Sequence, residues 1–508
     1  MTTESLPLPT ALPPVPAQAL ASPRNAAALQ RLAEQARADL ERLNYPPPDW
    51  MPAPAENAPL DALVVGAGMC GQTAAFALLR EGVRRLRVID AAARGEEGPW
   101  ATYARMLTLR SPKQLTGPDL GVPSLTFRAW YEAQHGTGDT SPFDAATPGW
   151  AALHKIGRID WRDYLLWVRD TARLPVENGV RLLSVRDEDG LIVAELQGPA
   201  GPQTVRTRKL VLALGRDGSG APRWPHFPSL DRQDPLARGR VFHSADAIAF
   251  EALRGRHVGV LGAGASAFDN TACALEAGAR VTQFARRAVL PQVNKSKAAS
   301  FPGFLRGYAA LDDARKWRFY TYIFDEQVPP PWETVRRCDA HEGFTLRLGR
   351  GWQDVRPTPG GVEVATADGV ERFDAVIFGT GFDVDLLDRP ELARYTPHID
   401  TWARHVAPEL SGHEAARFPY LGDGFALQSA DGRHAGALAR MHLFNWGATM
   451  SHAALGSDIP GLAIGATRLA QALVSDLFVE DADLHWQRLQ AHDEAELLPT
   501  KWYVPPSP

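Results

Sequence analysis

Three glycines and one acid carry the first recognisable chemistry of the chain. Gly66, Gly68 and Gly71 fall in the spacing G-x-G-x-x-G, and Asp90 follows about twenty residues later. Gly66 permits a tight turn out of a strand. Gly68 removes a side chain where a pyrophosphate would approach the backbone, and Gly71 lets a helix lie close to the strand. The first turn of that helix offers unpaired N–H groups and a partial positive charge to phosphates. Asp90 can accept hydrogen bonds from both hydroxyls of an adenosine ribose. This is the constellation of a dinucleotide site. The alternative is a glycine-rich turn in an ordinary α/β domain.

A second set recurs roughly 200 residues on. Gly262, Gly264 and Ala267 give G-x-G-x-x-A, an allowed variant, with Ser266 inside it. The strand that follows ends on Arg286 and Arg287 instead of an acid. Guanidinium groups there favour a ribose 2′-phosphate through bidentate, charge-assisted hydrogen bonds, whereas an acid favours a free 2′-hydroxyl. The first unit is therefore assigned to FAD and the second to NADPH. For the two arginines the alternative is a solvated surface pair. Asn294, Lys295 and Lys297 lie just past the second unit, placed either against the nicotinamide half of the cofactor or on the surface.

Alternating strands and helices must position these residues. Residues 62–65 read as a buried strand, 72–80 as a helix stopped by Gly82, and 86–89 as a second strand ending on Asp90. The same order repeats at 257–261, 269–277 and 281–284, an internal duplication of function. An amphipathic helix is expected at 25–43 after a Pro- and Ala-rich tail, either packed on the body or binding a partner. Another is expected at 159–169. Strands within 180–196 join at Asp189-Gly190, a hairpin signal. Further strands are read at 209–215, 361–364 and 375–378, the last running into FGTGF as a crossing back to the first domain. Asp458 is read as the N-cap of a long helix carrying Leu462, Ala466, Leu469 and Leu473. Such a helix aimed at a flavin pyrimidine would stabilise negative charge on the reduced ring. The expected fold class is α/β, with two Rossmann-like three-layer domains and the NADPH domain inserted into the FAD domain. The divisions read as 1–57 (tail and helix), 58–218 (FAD, first part), 219–372 (NADPH) and 373–508 (FAD, second part).

Composition limits the remaining classes. The 508 residues carry a net charge of −5 without a basic run, so neither nucleic acid nor an anionic membrane is an expected partner. Cys70, Cys273 and Cys338 form no C-x-x-C pair, which excludes a disulfide framework and a reductase dithiol. No apolar run approaches the roughly 18 residues of a membrane span. The N-terminus lacks a basic start, so no signal peptide is read and a cytoplasmic protein is expected. No metal site is expected, since H-x-x-x-H spacing is absent around His442 and His452. The expected partners are a small-molecule substrate and O2, with a homo-oligomer possible.

Taken together, these features resemble the two-dinucleotide-domain flavoprotein monooxygenases: flavin-containing, Baeyer–Villiger and N-hydroxylating types. The resemblance spans about residues 60–480. It rests on GAGMCG (66–71), Asp90, GPW (98–100), SPK (111–113), ALG (213–215), GRVFHS (239–244), GAGASA (262–267), Arg286-Arg287 and GTGF (379–382). It implies that NADPH reduces FAD. A flavin C4a-(hydro)peroxide then passes one oxygen atom to a nucleophilic nitrogen, sulfur or ring carbon. Trp100, Gly379 and Gly381 join the cofactor-binding set. Two departures bear on the substrate. Gly239 and His243 match the Baeyer–Villiger fingerprint, but Ala237 replaces its phenylalanine. Arg110 stands where flavin-containing monooxygenases carry asparagine. Ketone insertion loses support, and N-hydroxylation of an amine or amino acid is favoured. Arg110 or Lys113 is the candidate to steady the peroxide, and Asn445 and His452 are candidates to face flavin or substrate; for each the alternative is a structural role. The alternative activity is a flavoprotein reductase or oxidase that oxygenates nothing.

Overall fold

A computed structural model describes residues 25–52, 58–114, 117–136, 150, 153–494, 496–497 and 501–502. The expected Pro/Ala-rich tail lies outside them. Strand β1 (Leu60–Val65), helix α2 (Met69–Arg80) and strand β2 (Leu86–Asp90) form the first unit, after helix α1 (Ala26–Arg42). Val64 pairs with Val88 on one side and Val211 on the other, both in parallel. A strand buried on both faces reads as the near-continuous apolar run that marked it in the sequence. After helices α3 (Phe127–His135) and α4 (Arg158–Thr171) come β3 (Val176–Asn178), β4 (Arg181–Glu188), β5 (Leu191–Gly198) and β6 (Gly201–Leu212). The β4–β5 hairpin turns at Asp189 and Gly190, whose φ values of 51° and 76° suit a type I′ turn. The first part of β6 pairs antiparallel with β5. Its last residues join the parallel sheet, beside β1 and a late strand, Met441–Leu443.

The second sheet is wholly parallel. It contains β7 (Val241–His243), β8 (His257–Leu261), β9 (Arg280–Phe284), β10 (Phe344–Arg347) and, after a small antiparallel sheet of β11 (Asp354–Thr358), β12 (Gly361–Thr366) and β13 (Gly369–Phe373), β14 (Ala375–Phe378). The order is β10-β9-β8-β14-β7, and helix α5 (Ala265–Glu276) follows β8. This corrects one reading: β14, placed at 373–508 with the returning first domain, pairs with β7 and β8 in the second sheet. The chain rejoins the first sheet only at Met441–Leu443, strand β15. An apolar run buried on both faces does not name its partners. The fold is thus α/β, with two Rossmann-type units, the second inserted into the first.

Helix α1 takes the packed alternative. Leu29, Ala33, Ala36 and Leu40 are buried, with Leu29 in an aromatic cluster that includes Trp130 and Trp161. The long helix Leu462–Glu480 packs on α2 through Leu462, Ala466, Leu469 and Leu473. Two expectations about it change. Ile459–Gly461 forms a separate 3-10 turn, so Gly461 and not Asp458 caps the helix. Moreover, Ile459–Glu480 is long and apolar enough to cross a membrane by length and composition, although its apolar stripe is core. Gly465 is required there by packing, because a Cβ would lie 2.5 Å from the Leu455 carbonyl oxygen.

Candidate active site

Two crevices form where the strands of each sheet end. In the first, a Cβ on Gly71 would lie 1.7 Å from the Gly66 carbonyl oxygen, so only glycine lets α2 approach the turn. Gly66 itself sits at φ 98°. Gly68 caps α2 without a side chain and faces Gly98, whose Cα is 3.8 Å from where a Cβ would be. Asp90 is fixed by two backbone donors, Ala67 N–H to Oδ2 at 2.7 Å and Ala92 N–H to Oδ1 at 2.8 Å. Burial raises its pKa, and Glu97 and Asp217 add to the rise. Trp100 is buried in the aromatic cluster and its carbonyl accepts from Arg158. The loop carrying Gly98 is pinned by Glu97, which pairs with Arg169 at 2.8 Å and accepts from Gly95 N–H and Asn178 Nδ2. A backbone cradle that a single Cβ would fill, an open helix N-terminus and a fixed carboxylate fit FAD.

The second crevice is built alike. Gly262 sits at φ 130°, and a Cβ on it would meet the Gly379 carbonyl oxygen at 2.3 Å. A Cβ on Gly379 would meet that of Ala267 at 2.5 Å. The tolerated alanine and the GTGF glycine are therefore two sides of one close contact. Gly264 has nothing within 4 Å of its Cβ direction, and Ser266 is exposed in the first turn of α5. Arg286 is exposed and Arg287 half-buried, and neither guanidinium has an ion pair among the described residues. Gly381, at φ 80°, accepts from Arg223 N–H at 2.8 Å in the crossing between the sheets. Asn294 caps the short helix Lys295–Ala298, Lys295 lies 5.5 Å from the Tyr322 ring centre, and Lys297 is exposed.

A cavity of about 270 Å³ opens beyond the end of β6. Arg216, Ser300, Tyr320, Gln327, Trp446 and Asp458 contribute to its lining. The Arg216 guanidinium lies 3.9 Å from the centre of the Trp446 ring. Asp458 is delivered by a loop that begins at Ala453, with φ 62° and ψ −173°. A non-glycine residue in that region costs about 1–3 kcal/mol and persists only where its surroundings enforce it. Here Tyr320 Oη accepts from Ala454 N–H at 2.9 Å, and Tyr308 O–H donates to the Met450 carbonyl at 2.9 Å. Burial raises the Asp458 pKa and Arg216 opposes the rise. Sequence reasoning placed neither Arg216 nor Asp458 in the site. The only local signal was the position of Arg216 directly after ALG.

None of the four residues first proposed for catalysis lines this cavity. For Arg110, burial lowers the pKa, Asp269 of α5 and Glu333 raise it, and Arg216 lowers it. It is coupled to both units through Asp269 and Arg216 and makes no ion pair among the described residues. Lys113 donates to the Trp150 carbonyl at 2.6 Å, within the aromatic cluster. Asn445 is buried; its Oδ1 accepts from Gly447 N–H at 2.9 Å and its Nδ2 donates to Gly218 O at 3.3 Å. It shapes the Trp446 turn. His452 is buried, with Nε2 2.9 Å from the Gly422 carbonyl and its ring 4.3 Å from that of Phe425.

Burial pushes His452 and the equally buried His442 down to about 4. Both rings are neutral in the fold, while in the unfolded chain they titrate near 6.5. Their contribution to stability is thus complete above pH 6.5 and is lost as pH falls toward 4, because the unfolded chain then binds more protons. Urea unfolding across this range should show stability falling by several kcal/mol. His442→Gln and His452→Gln should flatten that slope.

The architecture defines a class: two Rossmann-type dinucleotide-binding units, with a cavity beyond the end of β6. A family model described as FAD-NAD(P)-binding matches residues 63–217, and one for L-lysine 6-monooxygenase/L-ornithine 5-monooxygenase matches 150–301. The chain is 39% identical over 476 residues to an FAD-dependent urate hydroxylase of Xanthomonas campestris pv. campestris, covering 92% of this chain and 97% of that one. Its fold is similar to an ornithine hydroxylase from Pseudomonas aeruginosa, with a TM-score of 0.62, 17% identity and coverage of 82% and 99%. It is also similar to an L-lysine 6-monooxygenase from Pseudomonas syringae, with a TM-score of 0.59, 18% identity and coverage of 81% and 98%. The chain belongs to the two-dinucleotide-domain flavoprotein monooxygenases. It is a flavin-dependent oxidoreductase that uses FAD and a nicotinamide dinucleotide.

Proposed function

We propose that this protein uses NADPH, FAD and O2 to hydroxylate a planar, nitrogen-rich heterocycle of the urate class. The observation that carries this reading is the relative named for urate hydroxylation, matched along nearly its whole length. Bound FAD supplies hydride acceptance and O2 activation, chemistry that the side chains themselves lack. The chain's own residues hold and orient. Gly66, Gly68, Gly71 and Asp90 seat the flavin dinucleotide. Gly262, Gly264 and Ser266 seat the nicotinamide dinucleotide, with Gly379 and Gly381 at its edge. Trp446 stacks the Arg216 guanidinium in the cavity lining. Arg110 is coupled electrostatically to Asp269 of the second unit and to Arg216 at the cavity.

The expected N-hydroxylation of an amine or amino acid is the second reading. The family model over residues 150–301 favours it. Oxygen uptake with urate, ornithine and lysine, each with product mass, separates the two. One oxygen atom gained by urate alone supports the first. Gain by an amine alone overturns it. NADPH consumption yielding only H2O2 with every substrate points to an oxidase.

NADPH preference rests on Arg286 and Arg287. Replacing both with alanine is expected to raise KM for NADPH by about a hundredfold or more and leave that for NADH within about threefold, since each lost contact to a phosphate is worth about 1.5–3 kcal/mol. Equal changes for both cofactors would assign the pair to the surface.

A further inference from the structure

We propose that Asp458 and Arg216 are a substrate-recognition pair, which reads a ring N–H and the adjacent ring oxygen of a cyclic ureide or imide. This rests on the proposed heterocycle hydroxylation and names the residues that select the ring. Asp458 lines the cavity, and its carboxyl group makes no hydrogen bond among the described residues. A half-buried carboxyl without a partner is costly unless a ligand supplies one. The fold meets a further cost to hold it there, in the strained backbone of Ala453 clamped by Tyr320. Strain of this kind concentrates at ligand-binding sites.

Arg216 supplies the complementary half. Its guanidinium makes neither ion pair nor hydrogen bond among the described residues and is held at 3.9 Å from the Trp446 ring centre. Trp446 is held in turn. Asn445 caps its turn at Gly447 N–H, which also donates to Ser219 Oγ at 3.0 Å. The planar guanidinium is thus set before a ligand arrives, so little rotamer freedom is lost on binding.

The charge inventory selects the ligand class. Glu414 also lines the cavity, but Arg223 pairs with it at 3.0 Å. Among the described residues, the unpaired charged groups of the lining are then Arg216 and Asp458. An ammonium substrate would gain from Asp458 and be repelled by Arg216. A cyclic ureide presents an N–H donor next to a carbonyl or enolate oxygen in one plane. That arrangement satisfies the carboxyl and the guanidinium together, with the ring beside Tyr320 and Phe324.

The test is calorimetric titration of the FAD-loaded protein with urate, xanthine, uracil and ornithine. Wild type is compared with Asp458→Ala and Arg216→Gln, each first checked for flavin content. Urate binding weakened at least tenfold in both variants, with partial recovery in Arg216→Lys, is the expected result. Urate bound equally by wild type and both variants overturns the pair and leaves the proposed activity standing. Wild type that ignores urate but binds xanthine or uracil, with the same losses in the variants, overturns the urate reading and retains the pair. Binding of ornithine alone overturns both.

Discussion

Gly71→Ala is expected to yield protein with less than a tenth of the wild-type flavin content. The added Cβ would lie 1.7 Å from the Gly66 carbonyl oxygen and 2.9 Å from its carbon. Both are backbone atoms of the turn itself, so no side-chain rotation relieves the clash. Either α2 moves away from β1, or the turn opens. Each displaces the N–H groups that face a pyrophosphate. The measurement is the absorbance ratio of flavin to protein after gel filtration. Gly264→Ala is the contrasting change: its Cβ meets nothing within 4 Å, so the fold and FAD are retained and only nicotinamide-dinucleotide binding weakens. Full flavin in Gly71→Ala would mean that the turn is more pliable than its geometry allows.

Arg169→Met is expected to lower stability by about 3–5 kcal/mol, the usual cost of removing one partner from a buried ion pair. The side chains of Arg169 and Glu97 are 8% and 4% exposed. Without Arg169 the Glu97 carboxylate retains only Gly95 N–H and Asn178, and the Val176 carbonyl loses its donor as well. The consequence reaches the cofactor because Glu97 holds the loop that sets Gly98 opposite Gly68. In urea titrations followed by flavin and tryptophan fluorescence, flavin release should precede unfolding in the variant and coincide with it in wild type. The double variant Glu97→Gln, Arg169→Met should recover part of the loss. A loss below about 1 kcal/mol would show that the loop finds another anchor.

Both β-α-β units were legible in the sequence because their signals are local: an apolar run, a glycine spacing and a helical stripe stopped by Gly82 or Gly278. The Asp189-Gly190 hairpin and the stripe of Leu462, Ala466, Leu469 and Leu473 were legible for the same reason. What failed to show was contact between distant segments. The run Ala375–Phe378 reads as a buried strand in either sheet, and only its pairing with β7 and β8 decides. Asp458 looks like a helix cap, yet Pro460 and Gly461 build a separate turn behind it. Lys113 looked free to meet a flavin; Trp150 engages it. The cavity joins residues from β6's far end, the helix Asp313–Glu326 and the loop at 453–458, and nothing in local spacing unites them.

The late strand β15 also sets an order on synthesis. Asn445 reaches back to Gly218 across 227 positions, and the first sheet lacks a strand until Met441–Leu443 has been made. At ribosomal speeds of about 5–20 residues per second, that interval lasts on the order of ten to forty seconds. The inserted sheet, with all its strands between Val241 and Phe378, is available for folding well before it closes. A nascent chain is therefore expected to gain its nicotinamide unit first and its flavin unit last. During that wait the unpaired edge of β6 is open to the wrong neighbours, and chaperones or free flavin have their window to act.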